Sequence, residues 1–448
     1  MGIINFVKGV YRRMFPLKDI ASAIGRTPIM TDEMQRKVEV WRKSYFGKAD
    51  WCDGNKVISL RIESSAVREL ANVALNEMSI NISNDTLERL MNKVRERLDV
   101  YLQRGLALGA MVIKPLGDDK FQCIPQNGFI IFEMDADGNP VDIAFPEMRT
   151  INKRHYTRVE RHTLTANGGL TITNKAYVSD SEANLGREIP LDSVEEWSDY
   201  VPAVVFPVNR MIFGYYRNPN DNTVDGTDMG VSIYDSALEK IRKADIQFGR
   251  LDYEFESARR RIHADTTMIK QVDNGAGGKS YQLDDIYIDV NGDKEDFFNE
   301  FSPSLRQDGF IAGLEEYRRD IEFDIGLSYG DLSNPQYVEK TATEINASKY
   351  RKRNTINHIQ SQLRVCLDGL VFGFAFFNRL TTSGYEFSCE FKDSFLNDDQ
   401  SEREEDRKDL ANGTLRREEY RARWRNETLE EAEKNLPEVA ELSYAYTE

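Results

Sequence analysis

The sequence predicts an α+β fold in which a region of helices and strands is followed by long helices. Three features lead to this prediction. Apolar residues recur at helical spacing over the first 110 positions, and short apolar segments separated by Gly- and Asp-rich turns fill residues 110–216. Two long helical patterns come next, at residues 230–262 and 341–380. Strands grouped in one region and helices in another are typical of α+β proteins.

Composition indicates a folded protein of two or three domains. The chain has 448 residues, of which 40% are hydrophobic and 30% charged. Its net charge of −16 argues against a generally basic surface for nucleic acid. The four cysteines form no CxxC pair, which suits a reducing compartment and inert core thiols. No apolar run reaches 18 residues, so no spanning helix is expected.

The first region is predicted to consist of helices followed by strands. The N-terminal segment Met1–Phe15 lacks a signal-peptide core and cleavage site, so an amphipathic docking helix is expected there. Helices are predicted at 32–46, 64–76 and 85–108, the last with Asp85 as N-cap. Strands are predicted at 110–115, 121–125, 129–134, 140–147, 156–164, 170–179 and 203–216. The polar loop 218–230 is the clearest domain boundary.

The second region begins with a single apolar stripe between Ile233 and Ile262, spaced by three and four residues. About thirty helical residues would make a rod of roughly 45 Å, too long for one small core to cover. We therefore expect it to pack against copies of itself or a partner. Strands at 267–272 and 281–290 flank a Gly-rich turn at 274–279, and Ser302-Pro303 starts a helix that ends near Leu327.

A linker rich in Gly, Asn and Pro joins this helix to the next one. Residues 329–340 form the linker, and the sequence Thr341-Ala-Thr-Glu344 is a capping box that starts a long helix. The first half of that helix is polar and its second half is apolar nearly all round, which predicts one exposed and one buried end. Gly369 and Gly373 would allow close approach of another backbone or a bend.

The third region, residues 393–448, is highly charged and predicted to be helical. Thr414 can cap a short helix, Thr428 and Glu431 form a second capping box, and Pro437 ends the helix that this box starts. A hydrophilic helical tail of this kind is typical of a peripheral cap or a partner surface.

Three local patterns are similar to ligand sites without completing one. Gly278-Lys279-Ser280 matches the end of a Walker A loop, but the required first glycine is Asp273, so a hairpin turn is favoured. In residues 135–139 the glycine comes two positions too early for a calcium loop, which favours a β-turn. Asp221, Asp225 and Asp228 could gather a cation, although a solvated linker is favoured. The sequence predicts no metal site and no cofactor.

No catalytic residue is expected either. His155 and His162 lie seven residues apart in a predicted strand, so they face opposite sides of it. Neither a Ser nor a Cys lies in a nucleophile motif such as GxSxG. We therefore expect a protein that is not an enzyme.

Two basic clusters leave alternatives open. Lys349, Arg351, Lys352 and Arg353 could face DNA phosphates, but they spread around the helix, which favours salt bridges to acidic neighbours within the chain or on another subunit. The run Arg259-Arg260-Arg261 ends the predicted rod. It could face a partner or another subunit, or be a solvated helix end.

Four segments in order resemble the portal proteins of long-tailed (siphovirus-type) bacteriophages, in the branch also called phage minor capsid proteins. The linker region contains GLSYGDLS and EKTATEI (326–333 and 339–345), which resemble the portal tunnel loop. Residues 156–191 resemble the wing, 230–262 the stem helix, and LANGTLRREEYRARW (410–424) the C-terminal helices.

The resemblance implies a portal-type fold. Its α+β wing would comprise residues 1–229, its stem helices 230–262 and 304–328, its small α/β clip 263–303 and its tunnel loop 329–340. A long bent helix that returns to the wing would occupy 341–392, and a helical crown 393–448. Arg259, Arg260 and Arg261 would then be partner-facing at the junction of stem and clip.

The implied function is a channel for double-stranded DNA at one capsid vertex, through which the genome is packaged and ejected. The resemblance also implies a closed ring of, usually, twelve subunits around this channel. Its partners would be the major capsid protein, the scaffold, the terminase large subunit and the head-completion adaptor. It would reside in the virion, and in the host cytoplasm during assembly, without a membrane partner.

The tunnel-loop residues Asn334, Gln336, Tyr337 and Lys340 are the expected contacts to DNA, short-range and independent of base sequence. The alternative is that they only pack one subunit against the next. Two other functions stay open: a capsid-associated interaction protein that forms no ring, and a packaging enzyme such as a nuclease or ATPase. The absence of a Walker A motif and of a clustered acidic motif argues against the enzyme.

Overall fold

The computed structural model describes residues 17–76, 78–117, 119–165, 168–257, 261–264, 270–273, 279–282, 298–301, 304–334, 342–380, 384–391, 399–425 and 427–436. The described part is α+β. The chain forms two compact units: one comprises Met1–Leu75 and Ile80–Ser388, the other Asn76–Ser79 and Cys389–Glu448. The docking helix predicted for residues 1–15 lies outside the described residues.

The described part of the larger unit begins with five helices: α1 (Leu17–Ile24), α2 (Asp32–Tyr45), α3 (Ile62–Leu75), α4 (Asp85–Arg95) and α5 (Leu98–Leu108). The predicted single helix 85–108 is therefore two, because Arg97 has a non-helical backbone (φ −133°, ψ 10°). Apolar residues keep helical spacing across this break, so the pattern does not reveal it. The N-cap is Asn84 and not Asp85, since the Asn84 side chain accepts from the amides of Thr86 and Leu87.

Two antiparallel sheets come after these helices. The smaller has the order β10-β2-β3, with β2 at Ala110–Gly117, β3 at Lys120–Pro125 and β10 at Gly214–Arg217. The larger has six strands: β4 to β8 in order, and β9 paired with β7. Its strands are β4 (Ile130–Met134), β5 (Pro140–Ile151), β6 (Arg154–Leu164), β7 (Leu170–Ser179), β8 (Arg187–Ile189) and β9 (Ala203–Phe206). A further strand, β1 (Met78–Ile82), pairs with β15 (Phe387–Phe391).

The predicted strand 203–216 is wrong as a single element. Its two ends, β9 and β10, belong to different sheets. Pro207 follows β9 directly and has no amide hydrogen to donate to a ladder, so the strand ends there. The three-residue strand β8 is too short to give a periodic signal and was not predicted.

The first long helix after the sheets is shorter than its apolar stripe predicts. Helix α6 spans Leu238–Ser257, 20 residues or about 30 Å, in place of the predicted 230–262. Residues 231–237 form a mostly buried segment with turns at 233–237, and the Ile233 amide donates to the carbonyl of Leu106 (3.0 Å). These turns are held against α5, so the first part of the stripe belongs to the core. At the other end, residues 261–264 form strand β11.

Two strand pairs lie between α6 and the next helix in sequence. Strand β11 (Arg261–Ala264) pairs with β14 (Phe298–Phe301), and β12 (Lys270–Asp273) pairs with β13 (Lys279–Gln282), both antiparallel. The predicted hairpin is thus confirmed over the described residues. Lys279 and Ser280 lie in its second strand, whereas the lysine of a Walker A loop is followed by a helix.

Helix α7 (Gln307–Ile325) packs against α6 and begins later than Ser302-Pro303 predicts. Its N-cap position is Arg306, whose amide and guanidinium donate to the carboxylate of Glu254 on α6, with an Nη2 to Oε2 distance of 2.7 Å. This carboxylate fixes where α7 can start. Residues 302 and 303 lie outside the described residues.

Helix α8 (Ala342–Phe377, 36 residues, about 54 Å) is the longest described element. Most of its second half is buried, as predicted, although Val365 and Phe377 are exposed. The predicted close approach at its glycines is confirmed: a Cβ at Gly369 would lie 2.8 Å from the carbonyl oxygen of Phe213, and one at Gly373 would collide with that of Ile212. The segment leading into β10 therefore lies directly against α8. The capping-box residue Thr341 lies outside the described residues.

The smaller unit contains three described helices, α9 (Asp399–Asn412), α10 (Arg417–Arg425) and α11 (Leu429–Lys434). The predicted capping box is present: Thr428 Oγ1 accepts from the Glu431 amide, and the Glu431 carboxylate accepts from the Thr428 amide. Thr414 does not start a helix as predicted: its hydroxyl donates to the carbonyl of Asp409 in the last turn of α9 (2.9 Å), so Thr414 belongs to the C-terminal end of that helix. Pro437 lies outside the described residues.

Two buried acids connect the N-terminal helices to the rest of the larger unit. The Asp245 carboxylate on α6 accepts from the Leu60 amide (2.8 Å) and the Trp51 indole (2.8 Å), which holds the 51–60 loop in place. Glu63 on α3 accepts from the Ser44 hydroxyl of α2. Burial raises the pKa of Glu63 to about 7, because water no longer solvates the charged form.

Replacing Gly373 by Ala should destabilise the protein by about 2 kcal/mol or more, because the added methyl collides with a fixed backbone carbonyl. Gly309→Ala in α7 is the matched control, since nothing lies within 4 Å of that position. The control should be neutral or stabilising by about 0.5–1 kcal/mol through helix propensity. Urea unfolding measures both; equal effects of the two substitutions would contradict the close contact.

Glu63→Gln should weaken the pH dependence of stability. The pKa of Glu63 is raised from 4.5 to about 7 in the folded protein, so the native state binds more protons than the unfolded state in this window. Its contribution is present below pH 4.5 and is lost as the pH rises through 7. The free energy of unfolding, measured in urea at pH 5 and pH 8, should fall less in the variant, by about 2–3 kcal/mol.

The exposed Glu33 on α2 supplies the control for this experiment. Glu33→Gln removes the same charge from a solvated side chain and should keep the pH dependence of the unsubstituted protein. If Glu63→Gln also keeps it, burial of the Glu63 carboxylate does not govern that dependence.

Candidate functional site

The joint between α7 and α8 is the candidate site, and it is built from the end of α7 outward. Gly326 ends α7 in the left-handed region (φ 84°), and the amide of Leu327 donates to the carbonyl of Glu322 (2.8 Å). A Cβ at Gly326 would collide with the Thr355 hydroxyl of α8. A glycine is therefore needed both for the backbone angle and for contact between the two helices.

The loop after this glycine folds around the carboxylate of Glu322. That side chain is fully buried, and its oxygens accept from the amides of Gly330 (3.1 Å), Leu332 (2.6 Å) and Ser333 (2.7 Å) and from the Ser333 hydroxyl (2.9 Å). Hydrogen bonds to an ionised acceptor are stronger than neutral ones. One α7 side chain thus fixes the conformation of residues 330–333.

A second α7 carboxylate continues this arrangement. Glu315 accepts from the Asn334 amide (2.7 Å) and pairs with Arg318 (2.7 Å). Because Glu315 and Glu322 are seven residues apart, they lie on one face of α7, about 10 Å from each other along the axis. The loop therefore runs back along α7 from residue 330 to residue 334. We call residues 326–334 the loop mount.

The loop mount is tied to α8 and α3 through Lys352. The Lys352 ammonium is buried and lies 3.0 Å from Asp331 and 2.7 Å from Glu69 of α3. Asp331 also accepts from the Ser328 amide (2.9 Å). A buried ammonium with two carboxylate partners within its own chain is positioned to hold structure, and it is not available to a phosphate.

The other basic residues on α8 have different surroundings. The Arg351 guanidinium lies over the rings of Phe323 (4.3 Å) and Tyr329 (5.3 Å), so it covers the loop mount from the α8 side. Lys349 is exposed, and Arg353 is half-buried. Of the four residues in this cluster, Lys349 is the most accessible to solvent.

Only part of the predicted tunnel loop and stem end falls within the structure. Asn334 is the last described residue before the next gap, and Gln336, Tyr337 and Lys340 lie outside the described residues. Arg259 and Arg260 lie outside them too. Arg261 does not end a helix as expected, because it is the first residue of β11, opposite Phe301 of β14.

A buried charge network between the two sheets was not predicted. Glu160 lies at its centre, 2.7 Å from Lys114 Nζ, 2.6 Å from His162 Nε2 and 3.1 Å from Arg158 Nη1, and Arg158 also pairs with Glu147 (2.8 Å). Burial acts to raise the pKa of Glu160, but Lys114, His162 and Arg158 outweigh it and hold that pKa well below its usual value.

The members of this network are partnered with one another, so the network holds β2 of one sheet against β5 and β6 of the other. A signal for it exists in the sequence. Arg158, Glu160 and His162 alternate along β6, which places all three on one face of the strand. Three ionisable residues on the face that also carries core contacts indicate an internal ion network.

The acidic groups in the part of the chain that the structure describes form no metal site. No group of three or more His, Cys, Asp or Glu side chains there could hold a metal ion. The Asp135 carboxylate accepts from the amides of Asp137 and Asn139, as expected of a β-turn and not of a calcium loop. The Asp225 carboxylate accepts from the hydroxyls of Thr31 and Thr227. No helix among the described residues is long and apolar enough to cross a membrane.

In comparisons with known proteins, no family model and no curated protein matches the chain. The residues and geometry of the site are therefore the basis for a functional proposal.

Glu322→Ala should release the loop mount. It removes the acceptor of three amides and one hydroxyl, and we expect a loss of about 3 kcal/mol in the free energy of unfolding. Ser333→Ala removes one hydrogen bond and should cost about 1 kcal/mol. Amide hydrogen exchange at residues 330, 332 and 333 distinguishes them. Exchange should accelerate in Glu322→Ala only, and continued protection in that variant would contradict the role of Glu322.

Proposed function

We propose that this chain is a phage portal subunit, which assembles into a ring-shaped channel at one capsid vertex through which double-stranded DNA is packaged and ejected. The observation that carries the proposal is the loop mount. Buried carboxylates of α7 and the Lys352 ion pairs fix the start of a loop between two long helices. The same segment carries the sequence that resembles a portal tunnel loop.

A rigid base is what such a loop requires mechanically. A loop that touches DNA in a channel experiences force whenever the DNA moves, and a loop held only by surface contacts would yield. Here the base is held by hydrogen bonds to ionised, buried groups, which are costly to break. The chain between residues 334 and 342 would then carry the contacts, with Asn334, Gln336, Tyr337 and Lys340 as the proposed DNA-contacting residues.

The order of the elements supports the proposal. An α+β region with two sheets, the proposed wing, precedes the packed helices α6 and α7, the proposed stem. Two small strand pairs separate these helices and form the proposed clip. Helix α8 follows the loop, and a separate unit with three short helices forms the proposed crown.

The charge of the chain fits a conduit better than a tight DNA-binding protein. With a net charge of −16, the ring would repel the DNA backbone over most of its surface. Weak, localised contact allows DNA to slide. The proposed partners are the terminase large subunit, the head-completion adaptor, the major capsid protein and the scaffold.

Exposed aromatic residues on the long helices supply a surface for self-assembly. Tyr253 and Phe255 near the end of α6 are 68% and 45% exposed, and Tyr350 on α8 is 65% exposed. Tyr253 and Phe255 lie two residues apart, about 200° around the helix, so they would meet a neighbouring subunit on two sides of the helix end. We propose that the end of α6 packs against a neighbouring subunit.

The purified chain should form rings of about twelve subunits at low micromolar concentration, visible by mass photometry and negative-stain class averages. Tyr253→Glu with Phe255→Glu should yield monomers, because each charge would be buried in the interface without a partner. Tyr253→Phe with Phe255→Leu keeps the apolar surface and should still assemble. Monomers of the unsubstituted chain at all salt and protein concentrations would favour a capsid-associated interaction protein that forms no ring.

Replacing Tyr337 and Lys340 by Ala should reduce the DNA packaged per head in a phage complementation assay, because both proposed contacts are lost while assembly is kept. Lys243→Ala, on the exposed side of α6, is the control and should package normally. Unchanged packaging in the double variant would mean that the loop residues only pack subunit against subunit.

A further inference from the structure

The smaller unit contains a cleft of about 560 Å³ lined by α9, α10 and Leu436, which follows α11. Five arginines line it: Arg403 and Arg407 from α9, and Arg417, Arg421 and Arg425 from α10. Tyr420 and Trp424 line it as well. No acidic residue is among the described residues that line the cleft, which we call the arginine cleft.

The spacing of these arginines is unfavourable for the helices themselves. Arg403 and Arg407 are four residues apart, and so are successive members of the α10 set. Like charges at this spacing lie on one helix face and destabilise a helix by about 0.2–0.5 kcal/mol per pair. Two helices that turn such faces toward one cavity gather positive charge at a cost to their own stability. A bound anion would offset that cost.

Most of this charge is not neutralised by the described residues of the unit. Arg421 forms a two-point ion pair with Glu427 (2.8 and 3.0 Å). Arg403, Arg407, Arg417 and Arg425 form no ion pair with any described carboxylate. The Nε atoms of Arg403 and Arg407 donate to the Tyr420 hydroxyl over 3.4 and 3.3 Å. These are long hydrogen bonds to a neutral oxygen, so they do not neutralise the charge of either guanidinium group.

A neighbouring arginine outside the cleft does form an ion pair within this unit. Arg423 lies 2.9 Å from both carboxylate oxygens of the buried Asp406, and the Trp424 indole donates to the same carboxylate (2.8 Å). Asp406 thereby fixes the Trp424 ring at the cleft. The Arg403 guanidinium lies over that ring at 5.6 Å. An aromatic ring and several guanidinium groups are thus held around one open space.

We propose that the arginine cleft binds the phosphodiester backbone of a nucleic-acid strand, with Tyr420 and Trp424 against its sugars or bases. Guanidinium groups bind phosphate oxygens in a two-point geometry, and aromatic rings beside them stack on bases. An acidic peptide would use the arginines but would leave the rings without a partner of matching shape. The proposal does not rest on the portal function, because the cleft lies within the smaller unit alone.

The acidic net charge of the chain does not prevent this binding. At an ionic strength of 0.15 M the Debye length is about 8 Å, so exposed charges farther away are largely screened. The local field in the cleft comes from its own arginines. Affinity should fall steeply with salt, with a slope of log K against log salt of about −0.7 per phosphate contacted for a single strand and about −0.9 for a duplex.

The test measures binding of the full-length chain to fluorescent 20-nucleotide single-stranded DNA and to the corresponding duplex, by anisotropy at several salt concentrations. Arg407→Glu with Arg417→Glu should weaken binding by about tenfold or more and reduce the magnitude of the salt slope by about 1.5. Lys408→Glu with Arg416→Glu is the matched control. These two exposed residues adjoin the first pair in sequence, carry the same charge change and do not line the cleft.

Three further arms decide the interpretation. Arg407→Lys with Arg417→Lys keeps the charge but not the two-point geometry, so it should retain part of the affinity that the Glu variant loses. An unchanged circular dichroism spectrum of the Glu variant excludes misfolding as the cause of its loss. Tyr420→Ala should weaken single-strand binding more than duplex binding if the ring stacks on bases, and a larger loss for the duplex places the ring against its sugars. Poly-glutamate of equal length is the competitor that represents an acidic protein.

An equal loss in the matched control would overturn the proposal, since binding would then depend on net charge and not on the cleft. Displacement of DNA by equimolar poly-glutamate would overturn it in favour of an acidic protein partner. Failure of this test leaves the ring-assembly result unaffected, so the two proposals are judged separately.

Discussion

Buried carboxylates that accept hydrogen bonds from the backbone of neighbouring segments are the interaction on which the larger unit depends. Glu322 holds residues 330–333, and Glu315 holds Asn334. Glu254 at the end of α6 holds the first residues before α7, and Asp245 holds the 51–60 loop. In each case a side chain on a long helix fixes a segment that has no regular structure of its own. The helices thus set the path of the loops.

The loops can be held in this way only if the helices keep fixed positions. Close backbone contacts at glycines fix the position of α8. Cβ atoms at Gly214, Gly369 and Gly373 would each approach a backbone carbonyl at a distance that real side chains do not tolerate. The approach to β10 and the second half of α8 therefore pack backbone to backbone, with little room for sliding. Lys352, in the first half of α8, then joins the loop mount to this fixed assembly through Asp331 and Glu69.

Local patterns predicted most of the elements, and tertiary contacts account for the differences. Helix α8, the β12–β13 hairpin and the Thr428 capping box can be derived from spacing and capping chemistry over a few residues. The break at Arg97 and the early turns at 233–237 cannot, because the apolar spacing stays helical through both. The roles of Glu322 and Lys352 could not be predicted, since a charged residue on a helix looks the same in sequence whether it is solvated or buried against a loop.

The position of each charge therefore carries more information than the net charge. Glu315, Glu322 and Asp245 count toward the −16 of the chain, yet they are buried and contribute as hydrogen-bond acceptors. Conversely, the C-terminal region is acidic overall and still contains the arginine cleft. The cleft forms because arginines four positions apart lie on one side of each of two short helices. A chain with an acidic surface can keep DNA mobile in a channel and still hold a nucleic-acid strand at one place, provided that enough cationic groups lie close together there without carboxylate partners.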